Sequence, residues 1–143
     1  MDNIYFSEGD LVIRTGVEED IEEISEIAKK SSKEIGFVMK IVLKNSCKTQ
    51  TLLTALHKNN VVGFCNFNIR NKDNVCVIYE ICVHKDFRGL GIAKKIIEIL
   101  PKPILLKCPI DNESNNFYKK IGFKKIDIEE GKKRPLNVWR INK

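Results

Sequence analysis

The stretch "TLLTALHKNNVVGFCNFNIRNKDNVCVIYEICVH", Thr51 to His84, limits the fold more than any other part of the chain. Apolar and β-branched residues fill three runs, separated by "KNN" (Lys58 to Asn60) and "NKDN" (Asn71 to Asn74), which are turn-forming text. Three successive strands with short connections pair as an antiparallel sheet. Such a sheet must cover at least one face, so the flanking segments have to supply the cover.

They read as helices. "VEEDIEEISEIAKK" places Val17, Ile21, Ile24 and Ile27–Ala28 at helical spacing, acidic at its start and basic at its end as the helix dipole prefers. Thr15, three residues before Glu18, has the spacing of a capping box, and "LVIRTG" (Leu11 to Gly16) alternates as a strand ahead of it. Beyond Gly36, Phe37 to Leu43 predicts a second short helix. A further helix from about Gly89 to Leu100 gathers Ile92, Ile96, Ile99 and Leu100 on one face and stops at Pro101. "PILLKC" (Pro103 to Cys108) is a short apolar strand, and "NESNNFYKKIG" a helix closed by Gly122. "FKKIDI" and "LNVWRIN" end the chain as two strands around the turn "EEGKKRP". The order β, α, α, β, β, β, α, β, α, β, β has no repeat, low-complexity tract or linker, and predicts one mixed α/β domain over residues 1–143.

Composition excludes several classes. With 43% hydrophobic and 31% charged residues the chain is globular rather than disordered or fibrous. No apolar run approaches the roughly 20 residues that span a bilayer, and "MDNIYFSEGD" lacks the basic and apolar regions of a secretory signal. A soluble, cytoplasmic protein is the expectation. Five cysteines, none in CxxC spacing and four in strand-like text, predict buried, reduced thiols rather than a disulfide framework or a metal site. His57 and His84 follow strand-like runs and are expected as exposed strand ends. The net charge of +6 favours an anionic partner. No stripe of interleaved basic and aromatic residues argues for nucleic acid or points to a membrane.

"DFRGLGIAKK", Asp86 to Lys95, carries the candidate chemistry. It is not a P-loop, since no Lys-Ser or Lys-Thr follows, and it lacks the three-glycine dinucleotide spacing. Two glycines before a helix are compatible with a loose helix start. They also suit an anion, because a helix N-terminus offers unpaired N–H groups and partial positive charge, and glycine lets a phosphate approach the backbone. Arg88, Lys94 and Lys95 add positive charge.

A strand runs into this turn and a second unit, "DNESNNFYKKIGF", follows it. Together they resemble the GCN5-related N-acetyltransferase (GNAT) superfamily. The Arg/Gln-x-x-Gly-x-Gly/Ala signature is matched by Arg88, Gly91 and Ala93, and the later Phe-Tyr and Gly-Phe pairs by Phe117, Tyr118, Gly122 and Phe123. The resemblance is densest from Tyr79 to Phe123, and the order of elements follows the family over nearly the whole chain. It implies an α/β (α+β) fold with a central mixed, mostly antiparallel twisted sheet of six to seven strands flanked by about four helices. It implies acetyl-CoA as cosubstrate, no metal, an amine-bearing acceptor, and room for a homodimer.

On this resemblance, backbone N–H groups from Arg88, Gly89, Leu90, Gly91, Ile92 and Ala93 hold the pyrophosphate of CoA. Ile81, Cys82 and Val83 serve the pantetheine arm and acetyl carbonyl, where their strand splays from Ile104 to Cys108. The N–H of Val83 or its neighbour supports the oxyanion, Tyr118 protonates the departing thiolate, and Glu80 takes the amine proton directly or through water. The plainer readings are a packed aromatic for Tyr118 and a surface carboxylate for Glu80. Asn115 is a candidate cofactor contact. The family's helix-opening asparagine lies seven residues before the tyrosine, where this chain has Asp111; Asn112, at six, either does that job or caps the helix. Acceptor choice in the family sits in segments that are here "SSKEIGFVMKIVLKN", without an acidic cluster to draw a polyamine, and the basic "EEGKKRPLNVW". Beside the enzyme stand two other readings: a catalytically silent CoA-binding regulatory module of the same fold, and a basic nucleic-acid-binding domain.

Overall fold

The computed structural model describes residues 3–143. Its strands are β1 (Ile4–Glu8), β2 (Leu11–Thr15), β3 (Leu52–His57), β4 (Asn60–Ile69), β5 (Cys76–Val83), β6 (Ile104–Pro109), β7 (Lys124–Glu129) and β8 (Leu136–Ile141). The helices are α1 (Ile21–Lys30), α2 (Ser32–Ile35), α3 (Lys40–Thr49), α4 (Ile92–Ile99) and α5 (Ser114–Lys120). The strands form a mixed sheet in the order β1-β2-β3-β4-β5-β6-β8-β7. No helix among the described residues is long and apolar enough to cross a membrane.

The chain divides into two compact units, residues 1–67 with 80–99, and residues 68–79 with 100–143. In the first, β1 to β4 are an antiparallel meander. The β3–β4 hairpin turns at Lys58 and Asn59, both with positive φ (49° and 66°), the left-handed pair whose twist suits a tight hairpin. The helical period of α1 sends Ile21, Ile24, Ile27 and Ala28 inward against Leu43 of α3, Leu52 and Leu56 of β3 and Phe64 of β4. Phe64, Ile24, Leu43 and Leu52 are fully buried, each contributing about 1.5–3 kcal/mol in apolar transfer. A polar clasp adds to this: Glu23 Oε2 accepts the Val61 N–H at 3.0 Å.

In the second unit, β5 and β6 run parallel over Cys76, Val77 and Ile78 against Ile104, Leu105 and Leu106. β8 then pairs antiparallel with β6 on one side and β7 on the other. Val75, Leu105 and Val138, with Val77 beside them, form its small apolar cluster. Tyr118 of α5 packs edge-on to Phe123 at 5.6 Å between ring centroids.

Four expectations are revised. β1 is an added strand, exposed along most of its length, so its text "IYFSE" carries no alternation to read. Four-residue α2 is an added helix, and α3 runs Lys40–Thr49 rather than Phe37 to Leu43. The helix expected from Gly89 begins only at Ile92, because Gly89 and Gly91 have φ of 80° and 81° and cannot lie in it. Thr15 does not cap α1: it ends β2, and a short 3-10 turn at Glu18–Asp20 precedes the helix. Asp20 there accepts the Val17 N–H at 2.9 Å and both terminal nitrogens of Arg14 at 2.7 and 2.9 Å.

Candidate functional site

Of the residues singled out by sequence, the first unit holds Glu80, Ile81, Cys82 and Val83 at the end of β5 and the run Arg88 to Ala93 before and into α4. The His84 N–H donates to the Val62 carbonyl at 2.7 Å. Because backbone groups alternate along an antiparallel ladder, Glu80, Cys82 and His84 direct theirs toward β4 and Ile81 and Val83 direct theirs to the opposite edge. β4 comes close enough here that a Cβ on Gly63 would lie 3.0 Å from the Cys82 carbonyl oxygen.

The loop after β5 is built from its own polar groups. His84 Nδ1 accepts the Asp86 N–H at 3.1 Å and opens a 3-10 turn at Lys85–Phe87. Phe87 packs against both His57 and His84, with ring centroids at 5.2 and 5.8 Å. The two histidines are thus half-buried members of a ring cluster rather than exposed strand ends. Arg88 turns its guanidinium back: Nε donates to the Val83 carbonyl at 2.9 Å, and Nη2 lies 3.3 Å from Ser31 Oγ at the end of α1. Gly89 and Gly91 then take their left-handed conformations, and a Cβ on either would meet nothing within 4 Å. Backbone conformation, not crowding, demands glycine there. The Lys95 N–H closes the first turn on the Gly91 carbonyl at 2.9 Å, and the N–H groups of Ile92, Ala93 and Lys94 before it belong to the first turn of α4, the helix end whose dipole favours an anion.

Glu80 is half-buried and accepts from Asn66 Nδ2 at 3.0 Å. Burial raises its pKa, and the Asn66 hydrogen bond opposes the rise in part. Burial likewise pushes up the Cys82 thiol, against smaller lowering effects of Ser31 and Arg88.

The second unit holds Asn112, Asn115 and Tyr118. Asn112 Oδ1 accepts the Ser114 N–H at 2.8 Å, a side-chain turn that leads into α5 one residue ahead of its N-cap, Glu113. Asn115 Nδ2 donates to the carbonyls of Pro109 and Asn112, each at 2.8 Å, and Oδ1 accepts from Trp139 Nε1 at 2.8 Å and Asn137 Nδ2 at 3.1 Å. An amide has two donors and two acceptor positions, and all are used in joining α5 to β6 and β8. Tyr118 is 8% exposed and packs on Phe117 as well as Phe123. Asp111, where the family pattern has asparagine, is paired to Arg134 Nη1 at 3.0 Å.

A family profile described as an acetyltransferase (GNAT) domain matches residues 48–125, more than half of the chain and both glycine-loop and Phe-Tyr segments. The chain belongs to the GNAT acetyltransferases. An uncharacterized N-acetyltransferase, ycf52 of Pyropia yezoensis, is 32% identical over 92 residues, covering 59% of this chain. The match spans about half, 52%, of that relative's length. Among solved structures, Ard1 of Thermoplasma volcanium superposes with a TM-score of 0.80 at 19% identity, covering 94% of this chain and 98% of the other. Arabidopsis thaliana Naa50, in complex with the bisubstrate analogue CoA-Ac-MVNAL, gives 0.75 at 15% identity, covering 94% and 100%. At these identities the likeness is one of fold. This GNAT chain has eight strands and five α-helices among its described residues, against six to seven and about four expected.

Sequence reasoning missed three polar residues that hold the first unit's site together. Ser31 anchors Arg88, and Asn66 with Ser46 lies behind Glu80. The one legible signal was an amide inside the apolar run "VVGFCNF", since a buried amide requires partners. A recess of about 320 Å³ opens between α1, α2 and the start of α3, lined by Ser25, Lys29, Ser32, Phe37, Val38 and Lys40 among others. Phe37, at its mouth, is 82% exposed. The cysteines are free, four of them buried, with Cys76 and Cys108 pushed up to about 11 by burial.

Proposed function

We propose that this chain is an acetyl-CoA-dependent N-acetyltransferase that works as one domain and transfers the acetyl group to a primary amine by direct attack in a ternary complex. The observation that carries the reading is the loop from Arg88 to Ala93: two left-handed glycines at the head of α4, fastened to the end of β5, in a chain of the GNAT family. Acetyl-CoA supplies an activated thioester. The residues from Gly89 to Ala93 bind its pyrophosphate through backbone N–H groups, the Arg88 N–H being engaged by the Lys85 carbonyl, and the edge of Ile81 and Val83 orients the acyl arm. An amide N–H on that edge, that of Val83, stabilises the oxyanion; the His84 N–H is engaged by Val62. Glu80 takes the proton of the attacking amine, and Tyr118 donates one to the thiolate leaving group. Asn112 and Asn115 act by shaping the start of α5 rather than by touching cofactor. Thiols held protonated by burial are poor nucleophiles, which favours direct transfer over an acyl-cysteine route.

Charge narrows the acceptor. The second unit has thirteen lysines and arginines against six acidic residues, while the first has twelve against thirteen. The whole surplus of positive charge therefore lies in the second unit, and an acceptor bearing anionic groups is favoured over a polyamine.

Thermal unfolding with and without acetyl-CoA, together with thiol release in the presence of peptides with free N-termini, tests the reading. Acetyl-CoA raises Tm, thiol is released, and Tyr118→Phe lowers kcat by about 10²-fold with Tm unchanged. A rise in Tm with no thiol release for any amine would instead identify a silent CoA-binding module. No rise at millimolar acetyl-CoA would sink both.

A further inference from the structure

β4 buries an amide, Asn66, between the apolar side chains of Cys65 and Phe67, and that amide lies directly behind the carboxylate just described. Asn66 is 2% exposed. Its Nδ2 donates to Glu80 Oε1 at 3.0 Å, and its Oδ1 accepts from Ser46 Oγ at 2.6 Å. Ser46 stands on α3, is itself 8% exposed, and also lies 3.1 Å from the Val42 carbonyl.

The order of donors in this chain is fixed by chemistry. An ionised carboxylate only accepts, so the amide must present its NH₂ to Glu80. That turns the amide oxygen toward Ser46, whose single proton must then go to Asn66 rather than to Val42. The reverse orientation sets an amide oxygen against the carboxylate, and becomes comfortable only when Glu80 is protonated and can donate. One arrangement of these three groups is therefore matched to the charged, proton-accepting form of Glu80.

We propose that Asn66 is a positioning residue that holds Glu80 ionised and aimed for proton abstraction, with Ser46 of α3 locking the amide in the orientation this requires. The proposal rests on Glu80 being the base. Asn66 faces Glu80 from β4, and Ser46 backs Asn66 from α3; among the described residues no charged side chain contributes to the titration of Glu80, which burial raises and Asn66 lowers. The amide is thus the one group placed to offset the burial. A merely structural amide would leave that titration where it is.

The Glu80 side-chain carboxyl carbon can be followed by ¹³C NMR over pH in the full chain, without ligand. Asn66→Ala raises its midpoint by about one pH unit, the worth of one hydrogen bond to a charged group. Ser46→Ala raises it by less, and Ser46→Thr returns it toward wild type. Should Asn66→Ala fail to fold, the Ser46 pair still decides. An unmoved midpoint in the folded variants overturns the proposal. Thiol release with acetyl-CoA and the peptide Met-Val-Asn-Ala-Leu, or an acidic peptide, is compared for wild type and Glu80→Gln. A pH profile unchanged by Glu80→Gln shows that the base lies elsewhere and removes the foundation, whatever the NMR reports. A profile lost in Glu80→Gln but unmoved in Asn66→Ala overturns only the role of Asn66.

Discussion

The guanidinium of Arg88 bends back to the Val83 carbonyl, five residues earlier, at 2.9 Å. With its second contact to Ser31 Oγ it ties the glycine loop to β5 and to the end of α1. A residue that sequence presents as a charge for phosphate is, in the fold, a strut for the glycine loop.

The consequence is measurable by calorimetry of CoA binding. Arg88→Ala removes two hydrogen bonds and weakens CoA about tenfold, at roughly 1–1.5 kcal/mol for the pair at this exposed site. Arg88→Lys keeps the charge but cannot reproduce the two directed contacts, so it restores little of the affinity. Recovery of wild-type Kd in Arg88→Lys would show that charge, not tethering, is what the loop needs.

At Gly91 the backbone has φ of 81° and the space around a Cβ is open. The penalty for substitution is therefore conformational, about 1 kcal/mol for alanine and less for asparagine, which tolerates the left-handed region. Acetyl-CoA affinity should fall in the order Gly, Asn, Ala, as read from the ligand-induced rise in Tm. Gly91→Glu, which adds a like charge beside the pyrophosphate, should abolish the rise. Equal affinities for the alanine and asparagine variants would contradict the argument.

The proposed role of Glu80 links rate and stability in opposite senses. Its folded-state pKa is raised by burial, so the folded chain holds a proton that the unfolded chain has already released. Stability is accordingly highest below the unfolded pKa and declines as pH rises through the folded one. As a base, Glu80 must be ionised, so kcat falls as pH drops through that same raised value. Glu80→Gln should therefore raise Tm at neutral pH while lowering kcat and removing the acid limb of the rate profile. A lower Tm at neutral pH for this variant would show that the carboxylate is favourably solvated after all.

Asn115 separates packing from chemistry. Asn115→Ala leaves the Trp139 indole N–H and the Pro109 carbonyl without this partner, a loss of about 2–4 kcal/mol from buried polar groups. Urea unfolding should show that loss, while CoA affinity of the folded fraction stays within a factor of two. A much larger fall in affinity would return Asn115 to the cofactor site.

How far sequence could see follows from where its signals come from. β3, β4 and β5 were legible because Lys58–Asn60 and Asn71–Asn74 break runs of apolar residues whose burial sustains the pattern. β1 was not, since its side chains bury little and so nothing constrains their alternation. α3 was half-seen because it buries only Leu43 and Ser46, too few positions to display a period. Among the candidate site residues, spacing alone picks out Gly89 and Gly91 in the first unit and Tyr118 in the second. The Ser46–Asn66–Glu80 chain was not, because its members come from α3, β4 and β5 and meet only once those elements are packed. The place of Arg88 as a strut was likewise hidden, since Ser31 lies far from it in sequence.

The buried cysteines have one further consequence. The proposed reaction ends with a free thiol, liberated beside a chain that itself carries five cysteines and no disulfide among them. Exchange and oxidation run through the thiolate, and burial raises Cys47, Cys76, Cys82 and Cys108, two of them to about 11. At neutral pH these sulfurs are almost wholly protonated. The proposed reaction would then proceed without the chain capturing its own product as a mixed disulfide, a form of redox durability that comes from packing.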